Sequence, residues 1–304
     1  MKKNLLHIFV FASATMLLVP QVLAKGGNHE AARKEVQPQV QAAQKRTIDK
    51  RRQEAVKEAL DAVLATRAAL AALEKGDSKE ALAHLEIANG KLALLLARYP
   101  DLGLIPVDSE AIVIDYKGDL KSIEKTVEEA EDLLDDGKVQ EARALLSPLA
   151  SEIRITTTNL PLAIYSEAMK KVAPLVDAGK IKEAKAALVE ALSTLVVTDS
   201  VIPLPLMRAE AMVKKASELA QGKNPDKDEI NRLLDNAKYQ LRLTQALGYG
   251  DIKKDYEPLY DQIEALSKKV SARSWGERLN EAIGKLRKAL GGLHTRLAEP
   301  QKAR

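Results

Sequence analysis

The sequence predicts a mainly α-helical fold of stacked helical hairpins, a helical repeat or bundle with at most a small two-stranded β element. Apolar residues recur at helical spacing through much of the chain, as in Leu120, Ile123, Val127, Ala130, Leu133 and Leu134, which lays one stripe along a helix. A Gly followed four residues later by Glu-Ala occurs three times, at Gly76, Gly137 and Gly179. Aromatic residues make up only 3% of the chain, and both Phe residues fall before residue 25. The core is therefore expected to be Leu, Ala, Val and Ile, which suits close helix packing better than an aromatic-lined cofactor pocket.

Residues 1–24 have the form of a secretory leader. Met1-Lys2-Lys3 is its positive start, Leu5 to Val19 its apolar stretch, and Val22-Leu23-Ala24 its cleavage pattern. Cleavage is expected after Ala24, and the Lys/Ala/Leu character of the leader points to a bacterial periplasm. The stretch is short for a membrane span. Residues 25–53, rich in Gln, Lys, Arg and Ala, read as a frayed N-terminal arm that becomes helical toward Val56.

A hairpin domain is expected over 54–267. Gly76, Gly137 and Gly179 each sit where a helix C-terminus needs a left-handed residue, so each unit reads as helix, tight turn, helix. Pro161, Pro203 and Pro106 stop the second helices and open extended connectors. A degenerate fourth copy spans Met212 to Gly250: Gly222 marks its turn, Asn224-Pro225 reads as an N-cap with Pro at the first helical position, and Leu247-Gly248-Tyr249-Gly250 closes it. Spacings of 42 and 43 residues between the later glycines do not fit the 34-residue tetratricopeptide repeat. Ala111 to Ile114 and Ile153 to Thr158 carry the β-branched enrichment of strands.

Four separated motifs then suggest a relationship. They are Lys91-Leu92-Ala93-Leu94-Leu95-Leu96-Ala97-Arg98-Tyr99-Pro100-Asp101-Leu102 with Ile105-Pro106-Val107-Asp108; Thr156-Thr157-Thr158-Asn159-Leu160-Pro161-Leu162; Leu195-Val196-Val197-Thr198 with Ile202-Pro203-Leu204-Pro205; and Ala246-Leu247-Gly248-Tyr249-Gly250. Together they resemble the YfdX family over roughly residues 54–290. The resemblance implies a periplasmic, mainly helical bacterial protein associated with envelope and acid-stress responses and drug tolerance. It brings no reaction and no catalytic residues.

The residues themselves offer little for catalysis. The chain has no cysteine, which excludes disulfides, thiolate metal sites and Cys nucleophiles. Beyond the leader only His29, His84 and His294 remain, far apart and without metal-ligand spacing. Glu80 and His84 read as an ordinary contact one helical turn apart. In the acidic run Glu128 to Asp136 a calcium-loop alignment on Gly137 fails, because Leu134 and Arg143 fall where ligands belong. The run reads as a solvated face. No Gly-x-Ser-x-Gly, P-loop or dinucleotide fingerprint is present. No enzyme, metal or cofactor is expected.

Two interaction readings follow. Tyr99, Tyr116, Thr156, Thr157, Thr158 and Tyr165 lie on or near the connectors and are candidates to line a groove for a small amphipathic molecule or an exposed apolar protein segment. The tail, residues 268–304, holds ten Lys and Arg against three Glu. In it Trp275, Leu279, Ile283, Leu286, Leu290, Leu293 and Leu297 form one stripe. With Trp275, Lys285, Arg287 and Lys288 as contacts, such a basic amphipathic helix suits an anionic membrane surface, a partner or a second copy. Alternatively the stripe folds back on the acidic body, in which case acid should loosen it. Gly291-Gly292 is expected to bend or end this helix. Nucleic acid is disfavoured by compartment and by the lack of interleaved aromatics. The leading expectation is a non-catalytic, stress-associated binding protein; the alternative is a structural interaction module.

Overall fold

The computed structural model describes residues 27–54, 56–222, 224–271 and 277–302. The leader, the first two residues of the arm and Trp275 lie outside the described residues. The fold is mainly α-helical, and the hairpins form as expected. Helices α2 (Lys57–Glu74) and α3 (Ser78–Arg98), after α1 (Gly27–Gln53), meet at Gly76; α4 (Leu120–Asp135) and α5 (Val139–Leu146) meet at Gly137. Gly179 joins the broken pair α6 (Leu162–Lys170) and α7 (Val172–Asp177) to α8 (Ile181–Ser193). All three glycines are left-handed, with φ of +81°, +73° and +69°. In each turn the following N–H reaches a carbonyl five residues back, such as Asp77 to Ala72 at 2.9 Å, so the last turn is closed.

The fourth unit differs in detail from its expectation. Between α9 (Leu204–Ala220) and α10 (Lys227–Ala246), Gly222 is not left-handed. Asp226, not Asn224, caps α10 by accepting the Glu229 N–H at 3.0 Å. A carboxylate there both satisfies an orphan donor and complements the helix dipole. Gly248 closes α10 at φ +82°, as expected.

The β content exceeds the expectation of two strands. β1 (Leu104–Ile114), β2 (Glu152–Pro161) and β3 (Val196–Pro203) form an antiparallel sheet in that order, and β4 (Gln301–Lys302) adds a short edge beside β3. The reason is topological: hairpins α4–α5 and α6–α8 return the chain, so successive connectors lie side by side. In β3 the alternation is interrupted by Asp199-Ser200, which hides it from a pattern search. Pro161 and Pro203 end their strands and serve as N-caps of α6 and α9. Pro106 sits beside the irregularity in β1, where a missing donor is tolerated.

Two cores flank the sheet. One joins α2, α3, α6, α7 and α8 to Ile105, Val107 and Leu160. The other joins α1, α9, α10, α11 (Glu257–Ser271) and α12 (Glu277–Leu297) to Ile153, Ile155 and Ile202. The N-terminal arm is therefore not frayed: α1 buries Ala32, Val36 and Val40 completely or nearly so. Its stripe is one residue wide amid Gln, Lys and Arg, and packing on α9 rather than helix propensity decides the outcome. The tail stripe is also buried from Leu279 to Leu293: Ile283, Leu286 and Leu290 are fully covered, each contributing about 1.5–3 kcal/mol. α12 runs through Gly291-Gly292 without ending, because Leu290 and Leu293 on either side are held in the core. The tail boundary at 268 falls inside α11, which packs as one unit.

Candidate functional site

Side chains alternate along a strand, so one sheet face carries Ala111, Ile153, Ile155 and Ile202 toward one end and Ser109, Thr157, Asn159 and Thr198 toward the other. The apolar end lies under the second core. The polar end lines a cavity of about 230 Å³, walled by Leu104 and Pro106 of β1, by Arg51 and Glu54 at the end of α1, and by Pro300. The Val56 N–H donates to the Pro106 carbonyl at 2.9 Å, which pins the link after α1 to the cavity edge.

Within it, Ser109 Oγ and Thr157 Oγ1 are 3.0 Å apart. One hydroxyl proton satisfies this bond and the other is available to a ligand. Asn159 Nδ2 donates inward, to the Thr157 and Val196 carbonyls at 3.1 and 3.2 Å and to Thr198 Oγ1 at 3.0 Å. Asn159 is thus a positioning residue that ties β2 to β3. Arg51 Nη1 meets Glu54 at 3.1 Å at the mouth.

The six sequence candidates for ligand binding do not converge. Thr157 lines the cavity, whereas Thr156 and Thr158 point to the opposite sheet face, where Thr156 donates to Asp199 at 2.6 Å. Tyr165 is fully buried in the first core, Tyr99 caps α3 and packs against that core, and Tyr116 bonds Ser122 at 2.9 Å at the start of α4. Ser109, Thr198 and Arg51 were not singled out by sequence, since only strand pairing aligns the first two with Thr157. Lys285, Arg287 and Lys288 are exposed on α12.

The far end of the sheet is fixed by charge. Asp115 accepts from Arg33 at 2.6 Å, Lys117 at 2.6 Å, Arg208 at 2.8 Å and Ser151 at 3.2 Å. Burial works to raise its pKa, but the guanidiniums of Arg208 and Arg33 and the Lys117 ammonium outweigh it and hold Asp115 well below the usual carboxylate range. Nearby, Tyr249 donates to the buried Glu152 at 2.5 Å, and burial followed by that carboxylate raises the phenol. Elsewhere His84 lies 3.8 Å from Glu80 on the surface, and the acidic run is exposed, with Lys138 meeting Asp136 at 2.8 Å. Among the described residues no three His, Asp or Glu side chains group to hold a metal ion. No described helix is long and apolar enough to cross a membrane.

Residues 62–201 match the YfdX protein family. The YfdX family is thus what this segment is similar to. A solved structure of YfdX from Salmonella Typhi aligns with 49% of this chain and 93% of its own, at 15% identity and a TM-score of 0.36. No curated protein matches the chain. The YfdX match runs from within α2 to within β3 and so contains the cavity's sheet residues, but it stops short of the Ala246 to Gly250 motif and of α9–α12. The motif-based resemblance reached further, to about residue 290.

Proposed function

We propose that this protein, whose residues 62–201 match the YfdX family, acts by binding rather than catalysis, outside the cytoplasm and in response to envelope stress, and that the sheet cavity takes a small amphipathic molecule. The observation that carries this reading is the cavity itself: apolar walls from Leu104, Pro106 and Pro300 around the Ser109–Thr157 hydroxyl pair, with its sheet residues, though not Pro300, Arg51 or Glu54, inside the family segment. Mostly apolar clefts with a few placed polar groups are the common form of small-molecule sites. A neutral ligand with one acceptor and a flat apolar body fits these groups.

Ser109→Ala with Thr157→Val tests the reading cleanly. Removing both partners of one hydrogen bond costs little stability, whereas removing one strands the other. The neutral naphthalene dye Prodan should bind the parent saturably and brighten, and the double variant should bind about tenfold or more weakly. Undiminished binding by a folded double variant sinks the proposal. The interaction-module alternative draws support from Leu134, Val139 and Leu146, which expose 47%, 54% and 39% of their surface on the α4–α5 hairpin. Light scattering coupled to size exclusion decides it: a concentration-dependent mass that falls with Leu134→Ser favours self-association, and a constant monomer mass removes it.

A further inference from the structure

We propose that a second groove, between α12 and the segment formed by the π-helical turn (Ile252–Tyr256) and α11, binds a single-chain anionic amphiphile, an alkyl carboxylate whose chain lies on the groove floor and whose head meets lysines at the rim. This groove of about 420 Å³ shares no residue with the sheet cavity and lies outside the YfdX segment. Its floor is apolar, with Leu259 and Leu293 in the core beneath it. Its rim is cationic: Lys254, Lys285, Lys288 and Arg296 against Asp255 alone.

That single carboxylate is already engaged. Asp255 is paired with Arg296 and accepts the Asp251 N–H at 2.9 Å. Lys285 reaches Glu281 at 2.7 Å, one turn back on α12. No carboxylate pairs with Lys254 or Lys288 among the described residues. The rim thus retains positive charge that complements an anionic head, while the floor complements a chain. A small anion without a chain gains only contacts to exposed lysines, which salt screens. A chain without a charged head leaves the rim unused.

Gly292 supplies a separate observation. It lies mid-helix, where glycine weakens a helix relative to alanine. A Cβ there meets nothing nearer than Arg296 Nη1 at 4.0 Å, and Gly292 is not among the left-handed glycines. Neither crowding nor backbone conformation calls for glycine at this position. Its effect is to leave backbone open on the groove wall, which is how glycine serves where a ligand approaches the main chain closely.

Isothermal titration of the full chain with sodium laurate, below its critical micelle concentration, is the test. Saturable, stoichiometric binding is expected, weakened about tenfold or more by Gly292→Leu, which fills the groove, and by Lys285→Glu with Lys288→Glu, which reverses the rim. Both lysines are exposed, so the charge variant keeps the test decisive if Gly292→Leu loses helical signal in circular dichroism. Dodecyl maltoside, a chain with an uncharged head, should bind more weakly than laurate. The Ser109→Ala/Thr157→Val variant should bind laurate like the parent, which separates this inference from the cavity reading. The proposal fails if laurate does not saturate, if both groove variants keep parental affinity, or if dodecyl maltoside binds as well as laurate.

Discussion

Helix α12 and the α4–α5 hairpin look alike in sequence, since each carries a continuous apolar stripe beside dense charge, yet the fold treats them in opposite ways. On α12 the stripe is sealed from Leu279 to Leu293 against α9 and α11. On the hairpin Ile123, Ala130 and Ala142 are buried, but they belong to neither core, and Leu134 at the C-terminal end of the α4 stripe is 47% exposed. Periodicity states that a helix has a face to cover; it does not state what covers it. The hairpin covers itself partly and is held chiefly at its root. There Asp119 and Ser122 form a capping box, and Asp115 ties the chain to α1 and α9.

If the root matters more than the stripe, the largest loss should come from Asp115→Asn, which leaves Arg33, Arg208 and Lys117 facing one another without their carboxylate. About 3–5 kcal/mol of stability should be lost in urea unfolding. The parent's share of this stability is present above the ordinary carboxylate pKa and fades as pH falls toward the depressed folded value, so the gap between parent and variant should narrow in acid. A loss under about 1 kcal/mol would mean that the cluster is solvated in practice. Next in size, Leu286→Ala in α12 should cost about 2–5 kcal/mol through the cavity it opens. Leu134→Ala should stay within about 0.5 kcal/mol. Equal costs at the two sites would erase the contrast between the helices, pointing to a covered hairpin.

How much of this was legible in the sequence depends on the distance over which each feature is decided. Gly76, Gly137 and Gly179 were readable because a left-handed closure is set by a few neighbouring residues. The third strand was not, because β3 exists only once β2 lies beside it and supplies partners such as Thr157 for Thr198. The helical state of α1 was hidden for the same reason: Ala32, Val36 and Val40 form a stripe too narrow to stand without α9. The cavity was legible in one residue of six, Thr157. Consecutive threonines invite being read as one polar surface, whereas strand alternation sends Thr156 and Thr158 to the other face. The cations Lys285 and Lys288 were found from charge alone, but their groove requires α11 and the π-helical turn, which no local pattern announces.

An effect smaller than those at Asp115 and Leu286 concerns how α12 is held and which way pH moves it. His294 Nδ1 lies 3.1 Å from both carboxylate oxygens of Glu210 on α9, and Arg296 pairs with Asp255 of the π-helical turn. The Glu210 hydrogen bond raises the His294 pKa above its ordinary value, against the opposing effect of burial. A raised histidine contributes its full stability below its unfolded pKa, about 6.5, and loses it as pH climbs through the folded value. Mild acidification should therefore tighten α12 on the body, the reverse of what a tail held by carboxylates alone would do. Loosening should begin only in the ordinary carboxylate range, near about pH 4. Hydrogen exchange, corrected for intrinsic rates, should show α12 better protected at about pH 6 than at about pH 8, by no more than about 1 kcal/mol for a partly exposed pair. His294→Gln should flatten that difference and leave the low-pH loosening in place. Protection that falls steadily from about pH 8 downward in the parent would assign the docking to carboxylates alone.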